Sequence, residues 1–171
     1  MTLALPVGSR DHIQGPPSAP ITLVEYADYE CPDCGRAFPL VKAAQKKLGD
    51  KLRFVYRHFP LSDRHFNAEA AAALAEAAAA QGKFWEMHNE LFTNQLELEL
   101  DNLLVYAKRL RLDVKRVKHE LETRAHLPRV LEDRESGLLS GVTGTPSFFI
   151  NGVRFDGDWE GAGLLNALTA P

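Results

Sequence analysis

Residues 21–59 constrain the fold more than any other stretch of the chain. Ile21-Thr22-Leu23-Val24-Glu25-Tyr26-Ala27 is β-branched and almost continuously apolar, the pattern of a central strand covered on both faces. One carboxylate, Glu25, interrupts it. After a turn at 28–30, Cys31 leads into Pro32, and proline is favoured as a first helical residue because its missing N–H has no intrahelical partner there anyway. Phe38, Val41, Gln45 and Leu48 continue at helical spacing, and Gly49 ends the helix. Residues 51–59 alternate as a second strand, closed by Pro60. Strand, helix, strand in this order predicts a βαβ unit with parallel strands.

The remaining sequence changes period twice. Residues 62–141 read as helices: Asn67–Ala80, rich in alanine, then a more apolar helix through Phe84, Trp85, Met87, His88, Leu91 and Phe92. Further helices are predicted at 101–110, 113–122 and 128–140. The alanine run is read as helix filler, and Phe84, Trp85 and Met87 as core. After Gly141, Ser147–Ile150 and Val153–Phe155 flank Asn151-Gly152, the strongest short hairpin signal, and Leu164, Leu165 and Leu168 suggest a closing helix. The expected organisation is an N-terminal lead-in at 1–20, with an edge strand at 10–14, and a βαβ…ββα domain at 21–61 and 142–171. A helical insertion of about 80 residues interrupts that domain at 62–141.

Composition removes whole classes of function. With 171 residues, 45% hydrophobic and 25% charged, the chain is an ordinary globular domain able to bury its own core. A net charge of −3 offers no basic face for nucleic acid or anionic lipid, and no apolar run approaches the ~20 residues of a membrane span. The N-terminus lacks a charged start followed by an apolar stretch, so a cytoplasmic location is expected.

The chain has only two cysteines, too few for a disulfide framework, yet they stand three apart as Cys31-Pro32-Asp33-Cys34. Random placement would give this redox spacing roughly once in ninety chains. A cysteine at a helix N-terminus faces unpaired N–H groups and the positive end of the dipole. Both stabilise the thiolate, which is the reacting form. Cys31 is therefore the expected nucleophile and Cys34, one turn in, the resolving thiol. The competing zinc reading lacks a third cysteine, and His58 and His65 are read as surface or packing residues, so no metal site is expected.

ITLVEYADYECPDCGRAF resembles the DsbA-like branch of the thioredoxin superfamily. GVTGTPSFFING resembles that family's cis-proline loop, strand and hairpin, and QGKFWEMHNELF its helical insertion. The chain is also similar to the thioredoxin-like domain fused to some sodium/proton antiporters. The resemblance implies an α/β thioredoxin-like fold and a protein-disulfide oxidoreductase with no cofactor beyond a Cys31–Cys34 disulfide. Protein thiol or disulfide substrates and a redox-recycling partner follow from it. It places Pro146 as the cis-proline beside the cysteines, Thr145 before it as a backbone partner for substrate, Pro32 and Asp33 beside the substrate, and Glu25 as a buried acid beneath the sulfurs. A lone carboxylate in an apolar strand should independently have a raised pKa, suiting it to move a proton to or from Cys34. Asp33, Glu30 and Asp28 are expected to oppose the Cys31 thiolate, with Arg36 offsetting part of their charge, which predicts a milder or more reducing centre than a strong oxidant. Two other readings are a redox-responsive binding module without significant turnover and a metal-binding protein.

Overall fold

A computed structural model describes residues 1–170. Pro171, the last residue of the expected domain, lies outside the described residues. The chain forms β1 (His12–Gln14), β2 (Ile21–Ala27), α1 (Pro32–Leu48), β3 (Leu52–His58), α2 (Ala68–Ala79), α3 (Phe84–Thr93), α4 (Leu100–Arg109), α5 (Val114–Glu122), α6 (Leu127–Leu139), β4 (Ser147–Ile150), β5 (Val153–Phe155) and α7 (Gly163–Thr169). The strands make one sheet in the order β1-β3-β2-β4-β5. The β2–β3 pair is parallel, with Glu25 opposite Tyr56, and the other three pairs are antiparallel. Asn151 and Gly152 both take positive φ, 50° and 81°, as a two-residue turn matched to strand twist requires. This is the thioredoxin-like α/β fold with a helical insertion.

Side chains of β2 alternate between two cores, as a pleated strand demands. Leu23 and Ala27 enter the larger one, with Cys31, Cys34, Ala37 and Val41 of the cysteine helix and with α2, α3 and α7. Val24 and Tyr26 enter the smaller one with Val55, Phe59 and Phe149. By the same alternation Glu25 shares the face of Leu23 and Ala27, beneath α1. The insertion straddles the sheet. Its α2 and α3 complete the larger core, whereas α6 lies against the other face, where a Cβ on Gly137 would fall 2.7 Å from Phe59 and 3.0 Å from Tyr26.

The alanine run is not filler. Ala71, Ala75, Ala77 and Ala78 are fully buried with Leu74, and a helix apolar all round is a buried helix. Small side chains let α2 pack closely against α3, α5 and α6. None of the described helices is long and apolar enough to cross a membrane.

Candidate active site

Cys31 is the N-cap of α1, in extended conformation (φ −72°, ψ 121°), with Pro32 opening the helix. The helix begins there because the Cys31 carbonyl already accepts from Gly35 N–H at 3.1 Å while its own dihedrals remain those of a strand. Cys31 keeps a narrow opening to solvent, 6% exposed, and Cys34 has none. Both are free thiols.

The sulfurs differ in charge preference for identifiable reasons. Cys31 is pulled down to about 6, chiefly by hydrogen bonding from Cys34. The Thr145 hydroxyl and the backbone N–H groups of Cys34 and Asp33 add to the effect against the opposing cost of burial. Cys34 is pushed up, first by burial, then by Cys31 and the Glu25 charge. The surroundings thus favour a thiolate at Cys31, beneath its narrow opening, and a protonated thiol at the sealed Cys34.

Thr145 and Pro146 approach from the far side of the sulfur. Their peptide bond is cis, and the Thr145 carbonyl lies 3.4 Å from Cys31 Sγ. Thr145 Oγ1 is buried with no hydrogen-bond partner, leaving it free to donate to a thiolate. Pro32 is exposed and Asp33 half-exposed beside the opening. Glu25 is buried, and its Oε1 has no hydrogen-bond partner. Burial therefore raises its pKa to about 8, against a weak pull from Lys42. Of the residues marked from sequence, Thr145 meets Cys31 through its carbonyl and Glu25 acts on Cys34 through its charge.

Each of the nearby carboxylates has partners of its own. Asp28 is buried and accepts from Leu61 N–H at 2.8 Å, and its Oδ2 lies 2.7 Å from His65 Nδ1. Glu30 accepts from the backbone and side-chain amides of Asn67. Asp33 pairs with Arg36 at 2.9 Å, and Arg36 also reaches Glu160. Cys31 stands at the helix terminus, where unpaired N–H groups favour a thiolate.

Two participants were not marked in the sequence. Gln95, from the loop between α3 and α4, donates through Nε2 to the carbonyls of Tyr29 and Cys31 at 2.9 and 2.6 Å, pinning the loop that carries Cys31. It also rests against Gly35, where a Cβ would fall 2.1 Å from its Oε1. His65 anchors Asp28. Neither follows any local spacing that could have singled it out. As for metal ligation, the cysteine pair offers two donors only. Elsewhere His12, His58 and Glu76 bring three donor atoms within 4.8 Å of one another, a convergence that the sequence reading passed over.

A family model described as thioredoxin matches residues 8–170. The Na(+)/H(+) antiporter NhaA 1 of Mycobacterium sp. (strain KMS) is 44% identical over 173 residues, covering 99% of this chain and 28% of the antiporter. The chain therefore spans little more than a quarter of that relative's length. Among solved structures, a thioredoxin-like oxidoreductase from Silicibacter pomeroyi DSS-3 superposes with a TM-score of 0.77 at 27% identity, over 88% of this chain and 85% of that one. The alpha-DsbA1 protein of Wolbachia pipientis gives 0.69 at 26% identity, over 86% and 77%.

Proposed function

We propose that this chain, which belongs to the thioredoxin family and is DsbA-like in fold, is an oxidoreductase that exchanges disulfides with protein substrates through Cys31 and Cys34. The observation that carries the proposal is the asymmetry of the two sulfurs: Cys31 caps α1 at a narrow opening to solvent, and Cys34 is sealed one turn in. In the reducing direction the Cys31 thiolate attacks a substrate disulfide, forming a mixed disulfide and expelling one substrate thiolate. Cys34 then loses its proton to Glu25 in the fraction of molecules whose carboxyl, with its pKa near 8, is ionised, and attacks Cys31 Sγ, releasing the second substrate thiolate. The substrate gains two electrons, and the enzyme is left as the Cys31–Cys34 disulfide. Oxidation of a substrate dithiol is the same path reversed, with Glu25 returning the proton to Cys34. A separate redox partner restores the starting state in either direction.

Substrate backbone lies along Thr145, beside the cis-proline loop, with Pro32 and Asp33 flanking the sulfur. A Cys31 thiol at about 6 lies between the ~7 of thioredoxin and the ~3.5 of DsbA. On this reading a redox titration against glutathione should return a potential between their values of about −270 and −120 mV. Insulin reduction driven by dithiothreitol tests the proposal: the wild-type chain accelerates it, and Cys31→Ser falls to background. Turnover that survives Cys31→Ser ends this mechanism.

The match to about a quarter of an antiporter favours one second reading, a redox-responsive module attached to a transporter. That reading predicts a change in partner binding between dithiol and disulfide states without insulin turnover.

A further inference from the structure

Behind the cysteine loop, three elements bring donor atoms together at one point. His12 stands on β1, His58 ends β3, and Glu76 lies on α2. Both imidazole Nε2 atoms reach the same carboxylate oxygen, Glu76 Oε1, at 2.6 and 2.7 Å. The His58 and Glu76 side chains are sealed, 1% and 7% exposed, whereas His12 keeps 15% and opens one side of the cluster to solvent. The rings are held from outside. His12 stacks flat on Phe84, centroids 3.4 Å apart, and His58 meets Tyr56 edge-on at 5.4 Å. The cluster lies close behind the catalytic loop, with the His58 ring 6.0 Å from that of Tyr29.

A buried carboxylate needs a compensating positive charge. No lysine or arginine among the described residues pairs with Glu76; its ionic partners are the two histidines. The charge must come either from a proton on one imidazole or from a cation that uses both imidazole lone pairs. Which ring nitrogen carries the proton is set by what the other nitrogen bonds to. His58 Nδ1 is buried without a partner, so in the ion-free chain Nε2–H donates to Glu76 Oε1, and a cation at Nε2 would have to displace that proton to Nδ1. Two imidazoles and one carboxylate with a solvent-facing side form a three-ligand set with an open fourth position. Bond lengths of 2.0–2.2 Å in a tetrahedron would set the donors about 3.3 Å apart. The pairs at 2.6–2.7 Å would have to widen by about 0.7 Å to reach that spacing, a movement within reach of the long Glu76 side chain.

The geometry points to a binding site for a divalent first-row transition ion, zinc above all, held by His12 Nε2, His58 Nε2 and Glu76 Oε1 and completed by water on the His12 side. Such an ion would tie the edge strand and α2 to the central sheet. The site shares no residue with the disulfide chemistry and stands or falls independently of it.

The test uses the full chain with Cys31 and Cys34 oxidised to their disulfide, so that no thiolate can act as a ligand. Zinc is titrated in competition with a chromophoric chelator, and cobalt(II) is added separately as a spectroscopic probe. The expected result is one equivalent of zinc and intense visible cobalt bands, with affinity lowered at least about tenfold in His12→Ala and in Glu76→Gln. Imidazole nitrogen NMR of the unsubstituted chain keeps the test decisive even where a variant fails to fold, because the Nε2 resonances of His12 and His58 should move on zinc addition. Absence of stoichiometric binding, undiminished affinity in both folded variants, or unmoved His12 and His58 resonances overturns the site.

Discussion

Glu25 and Glu76 are the same residue type, both buried against apolar side chains, yet their protonation is driven in opposite directions. Burial is the largest influence on each and raises both pKa values. At Glu25 almost nothing answers it: Oε1 has no partner, and Lys42 pulls only through space. The carboxyl rises to about 8 and holds a proton at neutral pH. At Glu76 the two imidazoles bond to Oε1 and take the carboxyl well below the usual range, so it holds a charge. Partners, not depth, decide the sign. One region stores a proton beneath the sulfurs, and the other stores a negative charge between three elements.

The largest test of this contrast is kinetic. Glu25→Gln should slow resolution of a mixed disulfide trapped at Cys31 by on the order of 10²-fold, the scale of a lost proton acceptor. Acid-quenched time courses read by mass spectrometry would show it, and release at wild-type speed would leave Glu25 without a role in proton transfer.

Stability should then separate the two by sign. At pH 7, urea unfolding should show Glu76→Gln less stable by about 2 kcal/mol, having lost charge-assisted hydrogen bonds. Glu25→Gln should be more stable by about 1–2 kcal/mol, since it no longer buries a group that prefers to ionise in the unfolded chain. Shifts in the same direction would break the comparison.

The pH dependence sharpens the Glu25 half. Its folded pKa of about 8 exceeds the ordinary 4.5, so its contribution to stability is whole below about 4.5 and is lost as pH rises toward 8. The advantage of Glu25→Gln over wild type should therefore widen across that window, by at most about 1.4 kcal/mol per pH unit. Parallel stability curves would mean that the Glu25 pKa is not raised.

The smallest effect belongs to the surface. Iodoacetamide alkylation of Cys31 should titrate with a midpoint near 6. Arg36→Ala, which frees Asp33 at a solvent-exposed pair, should move that midpoint only slightly upward because water screens the charge. A large movement would restore the view that Asp33 governs the thiolate.

What could be read along the chain was whatever depends on near neighbours. The seven-residue apolar run, Pro32 after Cys31, the three-residue cysteine spacing and the Asn151-Gly152 turn each report backbone geometry over a few residues, and β2, α1, β3, β4 and β5 form at those places. Glu25 was also legible, because strand alternation and one carboxylate in an apolar run need no distant partner to raise a pKa. What could not be read was which charge meets which. Asp28 and Glu30 looked like bare negative charges next to Cys31 until Leu61, His65 and Asn67, more than thirty residues away, took them up. The alanine run looked like filler until four other helices closed around it. His12 and Glu76 are 64 residues apart, and no local period encodes their meeting. The chain by itself determined its strands, its cysteine helix and its lone acid, since each follows from torsions and burial within one element. Only tertiary structure decided the charge at each carboxylate and the reactivity of Cys31, because electrostatic energy depends on separation in space and on excluded water, and folding sets both.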